Sequence, residues 1–316
     1  MSQNLPQHVA VFGALRSGTT LLRLMLDEHD RLACPGETDY MFDHVSGGVP
    51  GDPVFDVEAM ADNRIYRVFC DQFGLDPSAP QTMHGMMETM QGPKAAQDAT
   101  VVLMLHRSLE TALTHLPDMK ILHLIRDPRD VARSSIGMGW AGSTYYGVRH
   151  WLDTEREWSA CAPRLAPEQV LEVTYEALIE APEETLGRIC DFFGVSYTSS
   201  MLEYDGSSTY SKPDPSLTYQ WRRKQTPREI GLVEAQLGEL LITRGYPQSD
   251  HPPVVPGPLE RLRLAIGQRR ATWSVQIQRF GLRDPVLDKL SRHLGWPALG
   301  QPARRRMDAA MERYVK

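Results

Sequence analysis

A four-residue apolar run, Val9-Ala10-Val11-Phe12, leads into a glycine-bearing turn, Gly13 to Gly18, and then into Thr19-Thr20-Leu21-Leu22-Arg23-Leu24-Met25-Leu26. In the last stretch Leu22, Met25 and Leu26 share the i, i+3, i+4 spacing of one helix face. A strand that is apolar on both faces and feeds a helix belongs to a parallel sheet covered on both sides. The opening therefore predicts an α/β protein rather than a sandwich or a bundle.

The same grammar returns downstream. Ile121 to Ile125 reads as a second buried strand, Asp127-Pro128-Arg129-Asp130 as a turn, and Val131 onward as a helix. Val170 to Val173 reads as a third strand. After it Pro182 suits a first helical turn, and Leu186, Ile189, Cys190 and Phe193 form a stripe that ends at Gly194. Glu58 to Phe73 reads as one helix closed by Gly74. Thr226-Pro227-Arg228-Glu229 has capping-box spacing and opens a helix expected to run to about Arg244. Asp205 to Pro215 reads as a loop, and His251 to Pro258 as a proline-rich linker. Beyond it Leu259, Leu262, Ile266, Trp273, Ile277 and Phe280 recur at helical spacing among arginines. The expectation is a P-loop-like parallel sheet flanked by helices over residues 1–250, followed by a linker and basic helical tail over 251–316.

Charge separates these two parts. From residue 256 onward thirteen Lys/Arg stand against five Asp/Glu, a net of +8, so residues 1–255 carry −14 of the chain's total of −6. An acidic body does not suit nucleic acid. The basic tail calls for a partner of opposite sign: the protein's own body or a second subunit, or an anionic membrane surface contacted peripherally. The polar start of the chain and the brevity of its first apolar run predict a cytoplasmic protein. Cys34, Cys70, Cys161 and Cys190 lack the spacing of a metal site or disulfide framework, so they read as reduced, buried thiols with no metal expected.

The turn Gly13-Ala14-Leu15-Arg16-Ser17-Gly18-Thr19-Thr20 is the main chemical signal. A glycine turn between a strand and a helix aims backbone N–H groups and the positive helix end at one point, which suits a phosphate. Its glycines match the Walker spacing, but Thr19 stands where a kinase carries lysine, and the cation comes three residues earlier as Arg16. That departure argues against ATP with magnesium and for a phosphosulfate donor.

Arg16-Ser17-Gly18-Thr19-Thr20-Leu21-Leu22 after a short strand resembles the 5′-phosphosulfate loop of sulfotransferases that use 3′-phosphoadenosine-5′-phosphosulfate (PAPS). The likeness is to the branch with arginine in the loop, which includes bacterial and protein-tyrosine sulfotransferases. The resemblance implies a second motif, an arginine after a strand and a serine eight residues on, that holds the donor's 3′-phosphate. Arg126 and Ser134 match it. Val173-Thr174-Tyr175-Glu176 resembles the segment whose tyrosine lies near the adenine, and Trp221-Arg222-Arg223-Lys224 a late loop that closes over the donor with basic side chains. These matches cover residues 8 to about 248.

Sulfuryl transfer needs a base for the acceptor's proton and cations for the departing phosphate. The resemblance favours Glu37, in Gly36-Glu37-Thr38-Asp39, as the base, with His106 as its rival and Asp39 third. Relatives carry a lysine in a Lys-Thr-Pro or Lys-Asp-Pro segment, whereas the matching stretch Ala99 to Leu103 has none. Arg107 or Lys212 then substitutes, or Arg16 carries that charge. The implied function is transfer from PAPS, with release of the bisphosphate PAP, to a hydroxyl of a small molecule, glycan or lipid. A P-loop kinase and a non-catalytic PAP-binding module are the alternatives. Tyr40 to Pro50 and Met83 to Met90 read either as flexible segments lining the acceptor pocket or as plain core and loop.

Overall fold

A computed structural model of the chain describes residues 8–204 and 212–311. In chain order it begins with β1 (Val9–Phe12), α1 (Thr19–Asp27), β2 (Leu32–Ala33), α2 (Tyr40–Asp43), β3 (Val45–Val49) and β4 (Asp52–Phe55). There follow α3 (Val57–Ala61), α4 (Arg64–Phe73), α5 (Met83–Gln91), β5 (Thr100–Leu105), α6 (Leu109–His115) and β6 (Lys120–Ile125). Next come α7 (Pro128–Gly137), α8 (Thr144–Gly147), α9 (Arg149–Cys161), β7 (Val170–Thr174), α10 (Tyr175–Glu180) and α11 (Pro182–Phe193). The chain closes with α12 (Trp221–Lys224), α13 (Pro227–Leu237), α14 (Leu240–Thr243), α15 (Pro258–Phe280), α16 (Arg283–Leu294) and α17 (Pro297–Met311).

The chain divides into two units, Met1–Asp127 with His150–Tyr219 and Pro128–Arg149 with Gln220–Lys316. The first holds a five-stranded sheet in the order β2-β5-β1-β6-β7, with every neighbouring pair parallel. Every residue of β1 and β5 is buried, as is all of β6 after Lys120, which is why these strands are continuous apolar runs. Alternate residues serve opposite faces. Val9, Val11, Val102, Met104, Leu122 and Leu124 pack with Leu22, Met25 and Leu26 of α1. Ala10, Phe12, Leu103, Leu105 and Ile121 pack with Tyr40, Met41 and Trp158. Because β1 is central and the chain passes from β5 on one side to β6 on the other, the C-terminal ends of these strands frame a ligand crevice.

The expected strands at β1, β6 and β7 form, and α11 starts on Pro182 and ends at Gly194 in the left-handed region. Four expectations need correction. Asp127 to Asp130 is not a turn: α7 begins at Pro128, whose missing N–H costs nothing there. Glu58 to Phe73 is two helices, because the Asn63 side chain accepts from the Ile65 and Tyr66 N–H groups and caps a new start. The capping box at Thr226 forms, but α13 stops at Leu237, before Gly238 at φ 54°. Tyr40 to Pro50 holds a helix and the first strand of the antiparallel β3–β4 hairpin rather than a flexible loop. For Met83 to Met90 the plain-core alternative is the one that matches: the stretch lies in the helix Met83–Gln91, which buries Met83, Met86 and Met90 in the core. The strand β5 went unassigned in the sequence. Residues 205–211 of the expected loop lie outside the described residues, and Pro215–Leu217 form a 3-10 turn.

In the second unit α7, α8 and α13 pack together, and a Cβ on Gly147 would lie 2.2 Å from the Ala132 carbonyl oxygen. The segment before α15 is laid on α13: the Val254 N–H donates to the Gly231 carbonyl at 2.9 Å. The boundary expected at residue 250 does not coincide with the division into units, since α15–α17 share theirs with α7, α8 and α12–α14.

Candidate active site

The turn after β1 is built so that only glycine fits its two ends. A Cβ on Gly13 would sit 2.5 Å from the Leu124 carbonyl oxygen of β6. At Gly18, φ is 94° and a Cβ would meet the Tyr175 ring at 2.3 Å. Between them Arg16 adopts φ 73°, a conformation that costs a non-glycine residue roughly 1–2 kcal/mol. The Ser17 N–H donates to the Ala14 carbonyl at 3.0 Å and closes the turn. Its side chain is fully buried, and the hydroxyl meets no hydrogen-bond partner. A buried hydroxyl left so costs about 1–3 kcal/mol, which points to a polar ligand at the turn. α1 begins at Thr19 with no side-chain cap and no acidic residue in its first turn, so its N-terminal partial charge stands unneutralised.

Behind the turn lies a buried hydrogen-bonded chain. His106 follows β5 directly. Its Nδ1 lies 2.9 Å from Asp39 Oδ2, and its Nε2 lies 3.2 Å from the Thr19 hydroxyl. The His106 backbone N–H donates to Asp39 Oδ1 at 2.7 Å, and the Arg107 N–H to the same oxygen at 3.1 Å. Burial opposes charge on Asp39, but the hydrogen bond and charge of His106, with Arg107, hold its carboxyl below the usual range.

Arg126 follows β6 and reaches the same turn. Nη1 donates to the Arg16 carbonyl at 3.1 Å and Nη2 to the Leu217 carbonyl at 3.0 Å. The guanidinium lies 4.1 Å from the centroid of the Tyr175 ring, a cation–π distance. From below, Trp151 Nε1–H donates to the Arg126 carbonyl at 3.0 Å.

Glu37 is exposed, and its backbone bridges Met104 at the end of β5. The neighbouring Thr38 fixes that position: its N–H donates to the Met104 carbonyl at 3.0 Å and its Oγ1 accepts from the Met104 N–H at 2.9 Å. Arg107 is tied to Asp43 by Nε at 3.0 Å and Nη2 at 2.5 Å. Burial opposes its charge, yet Asp43, Asp39 and Glu37 keep it more firmly protonated than usual. Lys212 is exposed.

Within the first unit, then, the predicted residues Arg16, Ser17, Gly18, Thr19, Thr20, His106, Arg126 and Tyr175 gather at the ends of β1, β5 and β6, with Glu37 on the segment bridged to β5. Ser134, Arg222 and Arg223 belong to the second unit, Ser134 on α7 and the arginines on α12. There Asp130 accepts from the Trp221 N–H at 2.7 Å and the Gln220 N–H at 3.2 Å. The buried Arg129 stacks 3.7 Å from the Trp221 ring and pairs with Glu234 at 2.7 Å. The Gln225 side chain donates to the Arg129 carbonyl at 2.6 Å. Arg129 and Asp130 thus anchor the basic helix α12, a role that reading them as turn residues missed. The Asp39–His106 contact was also missed, because 67 residues separate partners whose spacing carries no periodic signal.

A model described as "Sulfotransferase family" matches residues 7–199. The chain belongs to the sulfotransferase family. Sulfuryl transfer replaces the kinase alternative as its chemistry. It is 28% identical over 214 residues to a Caenorhabditis briggsae protein named "Putative protein-tyrosine sulfotransferase", covering 65% of this chain and 71% of the relative. Among solved structures, the sulfotransferase domain of the Synechococcus PCC 7002 olefin synthase aligns with a TM-score of 0.55 at 20% identity. That alignment covers 75% of this chain and 97% of the domain. A sulfotransferase domain from the curacin biosynthetic pathway aligns at 0.52 and 20% identity, covering 74% and 98%. Both share the fold. Among the described residues of this sulfotransferase, no helix is long and apolar enough to cross a membrane.

Proposed function

We propose that the chain moves a sulfuryl group from PAPS to an acceptor hydroxyl by in-line transfer, releasing PAP. The buried Ser17 hydroxyl, unpartnered in a turn with an uncapped helix end and an arginine, is the observation that carries this reading. The donor supplies a sulfur activated by its bond to a good phosphate leaving group. Turn amides and the hydroxyls of Ser17 and Thr20 hold its 5′ end, and Arg16 balances the charge that gathers on the departing phosphate. The family resemblance assigns the 3′-phosphate to Arg126 and Ser134, the adenine to Tyr175, and the basic late loop to Arg222 and Arg223. In the transfer the acceptor oxygen bonds to sulfur, the sulfur–phosphate oxygen bond breaks with its electrons going to phosphate, and the acceptor proton passes to a base.

Glu37 is that base in this reading: an exposed carboxylate on a backbone fixed at the strand end. His106 suits the task less, because it is buried with one nitrogen on Asp39 and the other on Thr19. It is a positioning residue that acts through Thr19. With Nδ1 held on Asp39, Nε2 meets the Thr19 hydroxyl and fixes its direction at the start of α1.

The test is transfer of radiolabelled sulfate from PAPS to a panel of phenols, tyrosine peptides, glycans and hydroxylated lipids. Wild type labels at least one acceptor, and Glu37→Gln binds PAP with unchanged affinity while turnover falls roughly a hundredfold or more. Donor binding without transfer to any acceptor would instead make the chain a PAP-binding module.

A further inference from the structure

α16 is turned inside out. Its buried positions include two polar residues, Asp288 and Ser291, with Pro285, while its outward positions carry Val286, Leu290 and Leu294. Asp288 is ion-paired with Arg292 and with Arg304 at 3.2 Å, and the Ser291 hydroxyl donates to the Trp296 carbonyl at 2.7 Å. Leu282, Val286, Leu290 and Leu294 fall four residues apart on one side of the helix and are 40–61% exposed, and Trp296 beyond them is 64% exposed. Ten of the fifteen large hydrophobic residues exposed among the described residues lie between Val255 and Leu299. Such a concentration marks an interaction surface rather than ordinary scatter.

Charge selects the partner. That segment carries eight Lys/Arg against three Asp/Glu, and Arg283, Lys289 and His293 interleave with the α16 stripe. Two copies meeting through this face would set one cationic surface against another, which disfavours a symmetric pair. An apolar stripe flanked by cations, with an exposed tryptophan at its end, has the composition of a helix lying at a lipid–water boundary. α16 spans twelve residues, so it lies on a membrane and does not cross it. We infer that the exposed face of α16, through Leu282, Val286, Leu290, Leu294 and Trp296, docks the protein on membrane surfaces rich in anionic lipid.

The experiment is flotation of the full chain with vesicles of phosphatidylcholine alone or with about 30 mol% phosphatidylglycerol. The protein should float with the anionic vesicles, float little with the neutral ones, and lose binding as salt is raised. The triple variant Val286→Gln, Leu290→Gln, Leu294→Gln should lower partition to anionic vesicles about tenfold or more. These positions are exposed, so its melting temperature and PAP affinity should match wild type. Absence of the protein from the anionic vesicle fraction overturns the inference, and so does undiminished binding by the triple variant. A wild-type dimer in sedimentation that the triple variant dissolves, without vesicle binding, would give the face to a second copy instead.

Discussion

Asp39 grips His106 twice, by its ring at 2.9 Å and by its backbone N–H at 2.7 Å, and so fixes which ring nitrogen faces Thr19 and the turn after β1. Its carboxyl is held below the ordinary range of 3.8 despite burial, so the stability it contributes is present above 3.8 and is lost as pH falls through the lower folded value. Asp39→Asn should cost about 3 kcal/mol at pH 7, since it unbalances a buried pair, and the deficit should shrink in acid. Denaturant melts of both proteins from pH 7 downward test this.

His106→Gln separates positioning from structure. The glutamine amide can still reach Thr19 or Asp39, whereas an alanine reaches neither. PAP affinity should fall by up to about tenfold in His106→Ala and by less in His106→Gln. Calorimetric titrations of the three proteins give the comparison.

Gly18→Ala tests the turn's geometry. The new methyl meets the Tyr175 ring at 2.3 Å and sits at φ 94°, so a cost of about 1–3 kcal/mol is expected together with weakened PAP binding. The double variant with Tyr175→Ala should regain part of the packing loss but not the backbone strain.

Much of this was legible in the chain. Continuous apolar runs disclose strands buried on both faces, which is why β1 and β6 could be read directly, and the glycines of the turn after β1 are visible because no other residue fits there. Helix ends set by a single side chain were harder. Asn63 breaks a periodic pattern that otherwise runs unbroken from Glu58 to Phe73, and a proline at the first helical position makes Asp127–Asp130 look like a turn. Contacts such as Asp39 with His106 or Arg129 with Glu234 depend on the sheet order, which fixes neighbours far apart in sequence.

His123 gives a pH signature of the fold. It lies in β6 between Glu155 and Glu172, each at 3.1 Å, and stacks 4.0 Å from Trp158. Burial works against its charge, but the two carboxylates raise its value above the usual 6.5. The stability it contributes is fully present below pH 6.5 and is lost as pH rises through the raised folded value. Wild type should lose stability from pH 6.5 toward 9 relative to Glu155→Gln, followed by thermal melts, and NMR titration should place His123 above an unperturbed histidine.

The most direct measurement is a calorimetric titration of PAP into the purified protein and into an Arg16→Ala, Arg126→Ala double variant. The account predicts saturable one-to-one binding to wild type, weakened about a hundredfold or more in the variant because each arginine contributes a charge-assisted contact. No heat of binding with wild type, or equal affinity in the folded variant, would contradict it.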